Sequence, residues 1–244
     1  PKTGESSFAP AKLWDMPLKG AAFGSAATGD LDGDGKPEIV FGTYFGESRT
    51  YCVDGATGKV KWFFEVKRGP IDGSVVIADV TGDAKPEVLF AGSASGEIVC
   101  LDGQGRQVWA VDDEIDGETF DGAIAVGDLD GNGTKEILIA SALRLSGEGV
   151  LYCRAGKDGK IIWQQKLQGW IQNSVTLVDI DGDKLDDCVV ATWRGDNTVQ
   201  AFSGKDGKPL WKYQAGGWMY HCPSVGDLDG DGKEELAIGG YDQC

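Results

Sequence analysis

Short apolar runs of five to eight residues, separated by clusters of Gly, Asp and Asn, set the pattern of the chain from end to end. In the first such stretch residues 22–29 lead into an acidic segment. Glu38 to Thr43 (EIVFGT) and Arg49 to Asp54 (RTYCVD) follow, and after a Gly-rich turn at Gly55 to Lys59 comes Val60 to Val66 (VKWFFEV). Runs of this length, rich in Val, Ile, Phe, Tyr and Trp and bounded by turn formers, predict strands. No stretch carries an apolar period of 3.6 over ten residues, so helices are not expected.

The pattern repeats. The segment Asp30-Leu-Asp-Gly-Asp-Gly-Lys-Pro-Glu38 recurs at Asp79, Asp128, Asp179 and Asp227, at spacings of 49, 49, 51 and 48 residues. A Trp precedes each of those aspartates by 16 to 19 residues: Trp14, Trp62, Trp109, Trp163 and Trp211. Two markers in one phase define five units of four short strands, the arithmetic of β-propeller blades. The expected fold is all-β, a propeller of about five four-stranded blades within one domain spanning residues 1–244, with an acidic loop between the first and second strands of each blade. The loops are residues 30–38, 79–87, 128–136, 179–187 and 227–235. The last unit stops after its second strand, and the chain begins with a Trp-bearing run, Lys12 to Asp15, that has no acidic loop upstream. This run is expected to be a strand that completes the last blade and removes its open edge; five units of a longer propeller are the alternative.

Positions 1, 3, 5 and 9 of each loop offer side-chain oxygens. They are Asp30, Asp32, Asp34 and Glu38; Asp79, Thr81, Asp83 and Glu87; Asp128, Asp130, Asn132 and Glu136; Asp179, Asp181, Asp183 and Asp187; and Asp227, Asp229, Asp231 and Glu235. Position 7 can add a backbone carbonyl, from Lys36, Lys85, Thr134, Leu185 or Lys233. Hard oxygen donors without His or Cys point to Ca²⁺, up to five ions. An Asp- and Gly-rich β-turn explains one such loop as well, but five stacks of carboxylates in register call for a cation. Thr81 and Ala84 in the second loop and Lys184 in the fourth depart from the pattern, so these two are expected to bind most weakly and the first and fifth most tightly.

The charge follows from this. The chain has 39 acidic and 23 basic residues and a net charge of −16. Eighteen of the acidic residues occupy ligand positions, which leaves 21 against 23 basic ones elsewhere. Acidity speaks against nucleic acid and anionic membrane as partners, and no apolar run approaches the ~18 residues of a membrane span. There is no initiator Met and no signal-like run at Pro1, so a mature or processed product is expected. Sites of this type operate at millimolar calcium, which predicts an extracellular or periplasmic, secreted setting.

The stretch GDLDGDGKPEIVFG (Gly29–Gly42) resembles the FG-GAP/VCBS repeat of calcium-binding propellers, also found in integrin α-subunits. Asp54-Gly-Ala-Thr-Gly-Lys-Val-Lys-Trp62 resembles the tryptophan-docking segment of PQQ-like propellers. The resemblance runs from Trp14 to Gly240 and implies adhesion, ligand-binding or scaffolding modules and platforms of some extracellular enzymes. Five units depart from the seven or eight blades usual in such families. No adjacent Cys pair occurs, a departure from the quinoprotein alcohol dehydrogenases that argues against a bound quinone.

Trp170, Trp193 and Trp218 fall outside the phase of the five marker tryptophans. With Tyr44, Arg194, Tyr220 and His221 they map to the connections opposite the acidic loops, as do Phe45 and Arg144. They are read either as a platform for carbohydrate or protein or as a cap on the central channel. His221 is the only histidine, and no GxSxG, HExxH or phosphate-cradling loop is present, so a binding or scaffold module is expected and no catalytic residue is assigned. The alternative is a polysaccharide-degrading lyase or hydrolase, or an accessory domain of one, with Asp72, Asp113, Asp116 and Asp121 as candidate carboxylates. Cys52, Cys100, Cys153 and Cys188 read as buried small hydrophobes, and Cys222 with Cys244 as a candidate disulfide.

Overall fold

The computed structural model describes residues 11–67, 69–94, 96–112, 115 and 117–241. Among them there is no helix, hence none long and apolar enough to cross a membrane. The first sheet is β1 (Ala27–Gly29), β2 (Glu38–Gly42), β3 (Arg49–Asp54) and β4 (Val60–Glu65), in that order. The second is β5 (Val76–Ala78), β6 (Glu87–Ala91), β7 (Glu97–Leu101) and β8 (Gln107–Asp112). The third is built from β10 (Ala125–Gly127), β11 (Glu136–Leu143), β12 (Gly149–Ala155) and β13 (Ile161–Leu167), with the short β9 (Glu118–Thr119) added on β11. In the fourth, β15 (Thr176–Val178), β16 (Asp187–Ala191), β18 (Thr198–Phe202) and β19 (Pro209–Gln214) follow one another, and β14 (Gly169–Trp170) pairs with β17 (Arg194–Gly195) beside them. β20 (Ser224–Gly226) and β21 (Glu235–Ala237) form a two-stranded fifth sheet.

All pairings are antiparallel. The second strands β6, β11 and β16 are buried along their whole length, because sheets cover both of their faces, and past the acidic residue that opens each of them their sequences are accordingly almost wholly apolar. The fourth strands alternate or stay exposed, as in β4 and β13, and so lie outermost. First strands of neighbouring units touch, β1 with β5, β10 with β15 and β15 with β20, which places them nearest the common centre. Each hydrophobic core lies between consecutive units: Val40, Ile71, Phe90 and Val99 between the first and second, and Leu89, Trp109, Ile139 and Tyr152 between the second and third.

The marker tryptophans explain the phase of the repeat. Trp14, Trp62, Trp109 and Trp163 each donate Nε1–H to a carbonyl in the next unit: Gly55 O at 2.9 Å, Gly103 O at 3.0 Å, Gly156 O at 2.9 Å and Gly204 O at 2.9 Å. The ring then lies flat on a turn glycine, and a Cβ on Gly58, Gly105 or Gly207 would fall 2.6 Å from the indole. The residue directly across the ladder from each outer-strand Trp is small. Cys52 faces Trp62, Cys100 faces Trp109, Cys153 faces Trp163 and Ala201 faces Trp211, each beside a register shift. These cysteines are buried, and desolvation pushes the Cys52 and Cys153 thiols up to about 12, so they pack as small hydrophobes.

Lys12 to Asp15 is not a strand, contrary to the pattern-based expectation. The fifth sheet holds β20 and β21 alone among the described residues, and this run pairs with neither of them. Trp14 is fixed instead by its indole on the first unit. The expected Cys222–Cys244 pair falls partly outside the described residues, since Cys244 is not among them.

Candidate metal loops and the axial face

In every unit the acidic loop joins the first strand to the second, and one hydrogen-bond scheme recurs. One oxygen of the first aspartate takes the amide of position 6: Asp30 from Gly35, Asp79 from Ala84, Asp128 from Gly133, Asp179 from Lys184 and Asp227 from Gly232. One oxygen of the ninth residue takes the amide of position 2: Glu38 from Leu31, Glu87 from Val80, Glu136 from Leu129, Asp187 from Ile180 and Glu235 from Leu228. Position 6 has positive φ in all five loops, at 81° for Gly35 but also at 66° for Ala84 and 71° for Lys184. The two non-glycine loops thus adopt the curl at a cost of ~1–2 kcal/mol each.

The remaining oxygens converge. In each loop three acidic residues bring ligand atoms within 4.8 Å of one another: Asp30, Asp32 and Glu38; Asp79, Asp83 and Glu87; Asp128, Asp130 and Glu136; Asp179, Asp181 and Asp187; Asp227, Asp229 and Glu235. Each cluster could hold a metal ion. Two observations fit a cation there. Asp128 Oδ1 is buried with no hydrogen-bond partner. In the first loop the ammonium of Lys61 reaches into the cluster, at 2.6 Å from Asp32 Oδ2 and 2.5 Å from Glu38 Oε1. Burial pushes the carboxyls of Glu136 and Asp187 up, with neighbouring aspartates adding to it, whereas the bond from Lys61 holds Asp32 down. Positive charge is what these oxygens lack.

On the other end of the units lie the connections between second and third strands and between blades. Here Trp193 sits at the centre of an aromatic group, with Trp170 at 5.9 Å, Trp218 at 6.1 Å and Tyr220 at 5.5 Å between ring centroids, and His221 follows Tyr220 at 5.5 Å. The β14–β17 ladder positions Trp170 against Arg194, whose guanidinium stands 5.1 Å from the Trp170 ring and 4.9 Å from that of Trp193. Trp218 and Tyr220 are exposed. Six of the seven residues proposed from the sequence as ligand contacts therefore meet in one patch. Tyr44 does not join it, and packs instead with Phe23 and Phe45, at 5.1 and 4.4 Å.

An axial cavity of about 280 Å³ separates the two groups. One position of the repeat, seven residues before the first aspartate of each acidic loop, lines it from all five units: Phe23, Asp72, Asp121, Gln172 and Tyr220, with His221 beside the last. The sequence signal for this ring was available, as those residues share the phase of the acidic loops, yet only the fold turns them toward one axis. Gln172 Nε2 donates to Asp121 Oδ2 at 2.5 Å. Burial raises the pKa of Asp72, and raises that of Asp121 with a further push from Asp72. Asp113 and Asp116, the other two candidate carboxylates, lie outside the described residues.

A raised carboxyl pKa has a defined sign for stability. The folded Asp121 side chain prefers the neutral form more than the unfolded one does, so its charge costs stability at neutral pH, and that cost fades as pH falls toward the ordinary carboxylate range. Asp121→Asn, which keeps an acceptor for Gln172, is expected to raise the urea midpoint near pH 7 and to lose that gain by about pH 4. A gain that stays constant with pH would refute the electrostatic cause.

The comparisons with known proteins agree with this geometry. The FG-GAP repeat model matches residues 22–60, and the model described as outer membrane protein assembly factor BamB matches residues 94–227. No curated protein sequence matches significantly. Among solved structures, the V. cholerae biofilm matrix protein Bap1 is similar with a TM-score of 0.69 and 22% identity over 93% of this chain. A quinohemoprotein alcohol dehydrogenase from Comamonas testosteroni follows with 0.64 and 15% over 89%, and one from Pseudomonas putida HK5 with 0.66 and 15% over 91%. The chain spans only 37%, 40% and 39% of those three proteins. The likeness shows a shared propeller fold. With the BamB-type model covering more than half of its length and the FG-GAP repeat at its start, the chain belongs to the PQQ-like, FG-GAP-containing family of β-propeller repeat proteins.

Proposed function

We propose that this chain is a calcium-stabilised, secreted binding or scaffold propeller whose five units form one domain and which recognises carbohydrate or protein through the face opposite its acidic loops. The observation that carries the proposal is the patch around Trp193, where Trp170, Trp218 and Tyr220 pack tilted or edge-on at 5.5–6.1 Å and Arg194 lies over two of the indoles. Aromatic faces cover the apolar side of sugar rings or of peptide side chains, and a guanidinium at their edge supplies oriented donors. The loops would be held by Ca²⁺ through the three converging acidic residues of each, helped by position 5 and the carbonyl of position 7. The hard-oxygen donor set and the orphaned Asp128 Oδ1 support that choice. Sensor or extracellular loops of this openness need abundant calcium, which supports the secreted setting.

The second reading, a polysaccharide lyase or hydrolase, has one observation in its favour. Asp72 and Asp121 line the axial cavity together, both with raised pKa, next to Tyr220 and His221 of the aromatic patch. A glycan and protein array probed with the wild type and Trp193→Ala, followed by digests of any polysaccharide bound, separates the two. Binding that falls at least tenfold in the variant, with no release of unsaturated or reducing ends, supports the module. Ends released by the wild type and abolished in Asp121→Asn would support the enzyme, and undiminished binding by Trp193→Ala would refute the aromatic patch.

A further inference from the structure

We infer that Lys61 is a built-in competitor for the cation of the first acidic loop, so that this loop binds calcium more weakly than the fifth despite an equivalent ligand set. The inference rests on the reading of the loops as calcium sites and goes beyond it. Both loops offer Asp, Asp, Asp and Glu at positions 1, 3, 5 and 9 and a lysine carbonyl at position 7. Ligand counting therefore ranks them together. The structure separates them by one side chain. Lys61 lies on β4, one residue before the docking Trp62, and its Nζ contacts Asp32 Oδ2 and Glu38 Oε1 at 2.6 and 2.5 Å. These are two of the three acidic residues that converge in that loop.

The other units lack the competitor. The residue before the docking Trp is Leu13, Val108, Ile162 or Leu210 elsewhere, and none of these can donate to a carboxylate. In the third unit the corresponding oxygen, Glu136 Oε1, takes the hydroxyl of Thr134, and in the second Glu87 Oε1 takes that of Thr81. The contact of Lys61 is built rather than casual: the Glu38 side chain is 2% exposed, so the ammonium meets a carboxylate that solvent cannot screen. An incoming divalent ion must break both bonds and return the ammonium to water. A cavity of about 230 Å³ lined by Lys61, Trp62, Gly103 and Gln104 gives the side chain room to leave. The device gives one loop a cation of its own, so its carboxylates are partly neutralised while calcium is scarce, and it makes that loop fill after the fifth as calcium rises.

The test uses the full chain and a residue-resolved readout. Calcium alone is titrated into ¹⁵N-labelled protein, and the amides of Gly33 and Gly35 report the first loop while those of Gly230 and Gly232 report the fifth. The expected result is a midpoint for the first loop about tenfold or more above that of the fifth, a difference of ~1.4 kcal/mol. Lys61→Val, the residue of the second unit, brings the two together, whereas Lys61→Arg keeps them apart. Lys61→Gln serves as the neutral replacement if the valine variant does not fold. Equal midpoints in the wild type, or a first-loop midpoint unmoved by Lys61→Val and Lys61→Gln, would overturn the inference and leave the calcium sites standing. No response in any of the five loops would overturn both.

Discussion

Chelation with EDTA is expected to lower the melting temperature by more than about 10 °C. The five loops present converged carboxylates that repel one another without a cation, and an ion bound only by the native loop stabilises by ~2.7 kcal/mol per site at a 100-fold excess over Kd. For a chain of this length each kcal/mol moves the midpoint by about 2–4 °C, so even two emptied sites reach that range. Differential scanning calorimetry in calcium, in EDTA and after calcium is restored measures it. An unchanged midpoint would remove the structural role assigned to the metal, and recovery with Mg²⁺ as complete as with Ca²⁺ would reassign the ion.

The second large effect concerns Trp109. Its indole is 8% exposed, donates to Gly156 O at 2.9 Å and belongs to the core between the second and third units. Trp109→Ala opens a cavity and strands a buried carbonyl, at a cost of ~3–5 kcal/mol. Trp211 holds the same position in the fourth unit, but it is only half-buried and its Nε1 donates to no carbonyl among the described residues. Trp211→Ala is therefore expected to cost less than half as much in urea melts of the two variants. Equal losses would mean that the ring acts through its own sheet alone, across the ladder from Cys100 or Ala201, and not by docking on the next unit.

Much of this was legible because the repeat writes the same physical demand several times. The strands of the units appear where β-branched and aromatic runs stand between turn formers, and the acidic loops sit between first and second strands as spacing predicts. Lys12 to Asp15 misled because a Trp and a strand-like run satisfy the local pattern, while a strand exists only where a neighbour offers hydrogen bonds. Tyr44 shares the face of the Trp193 patch but not its contacts, since that patch is assembled from the fourth and fifth units and Tyr44 packs against Phe23 in the first. The axial ring of Phe23, Asp72, Asp121, Gln172 and Tyr220 went unseen as a set because its four residue types share no motif, only a phase.

By itself, the sequence determined the all-β class, the repeat, the oxygen-donor loops and the seat of the net negative charge. All of these depend on local periodicity and on residue chemistry within ten or so positions. Tertiary structure alone decided which side chains from distant units meet. It joined Trp170, Trp193, Trp218 and Tyr220 into one patch, turned one residue of each unit onto an axis, and placed the Lys61 ammonium in a loop 23 residues upstream. Those meetings are set by how sheets pack around a common centre, and that geometry is a property of the whole chain.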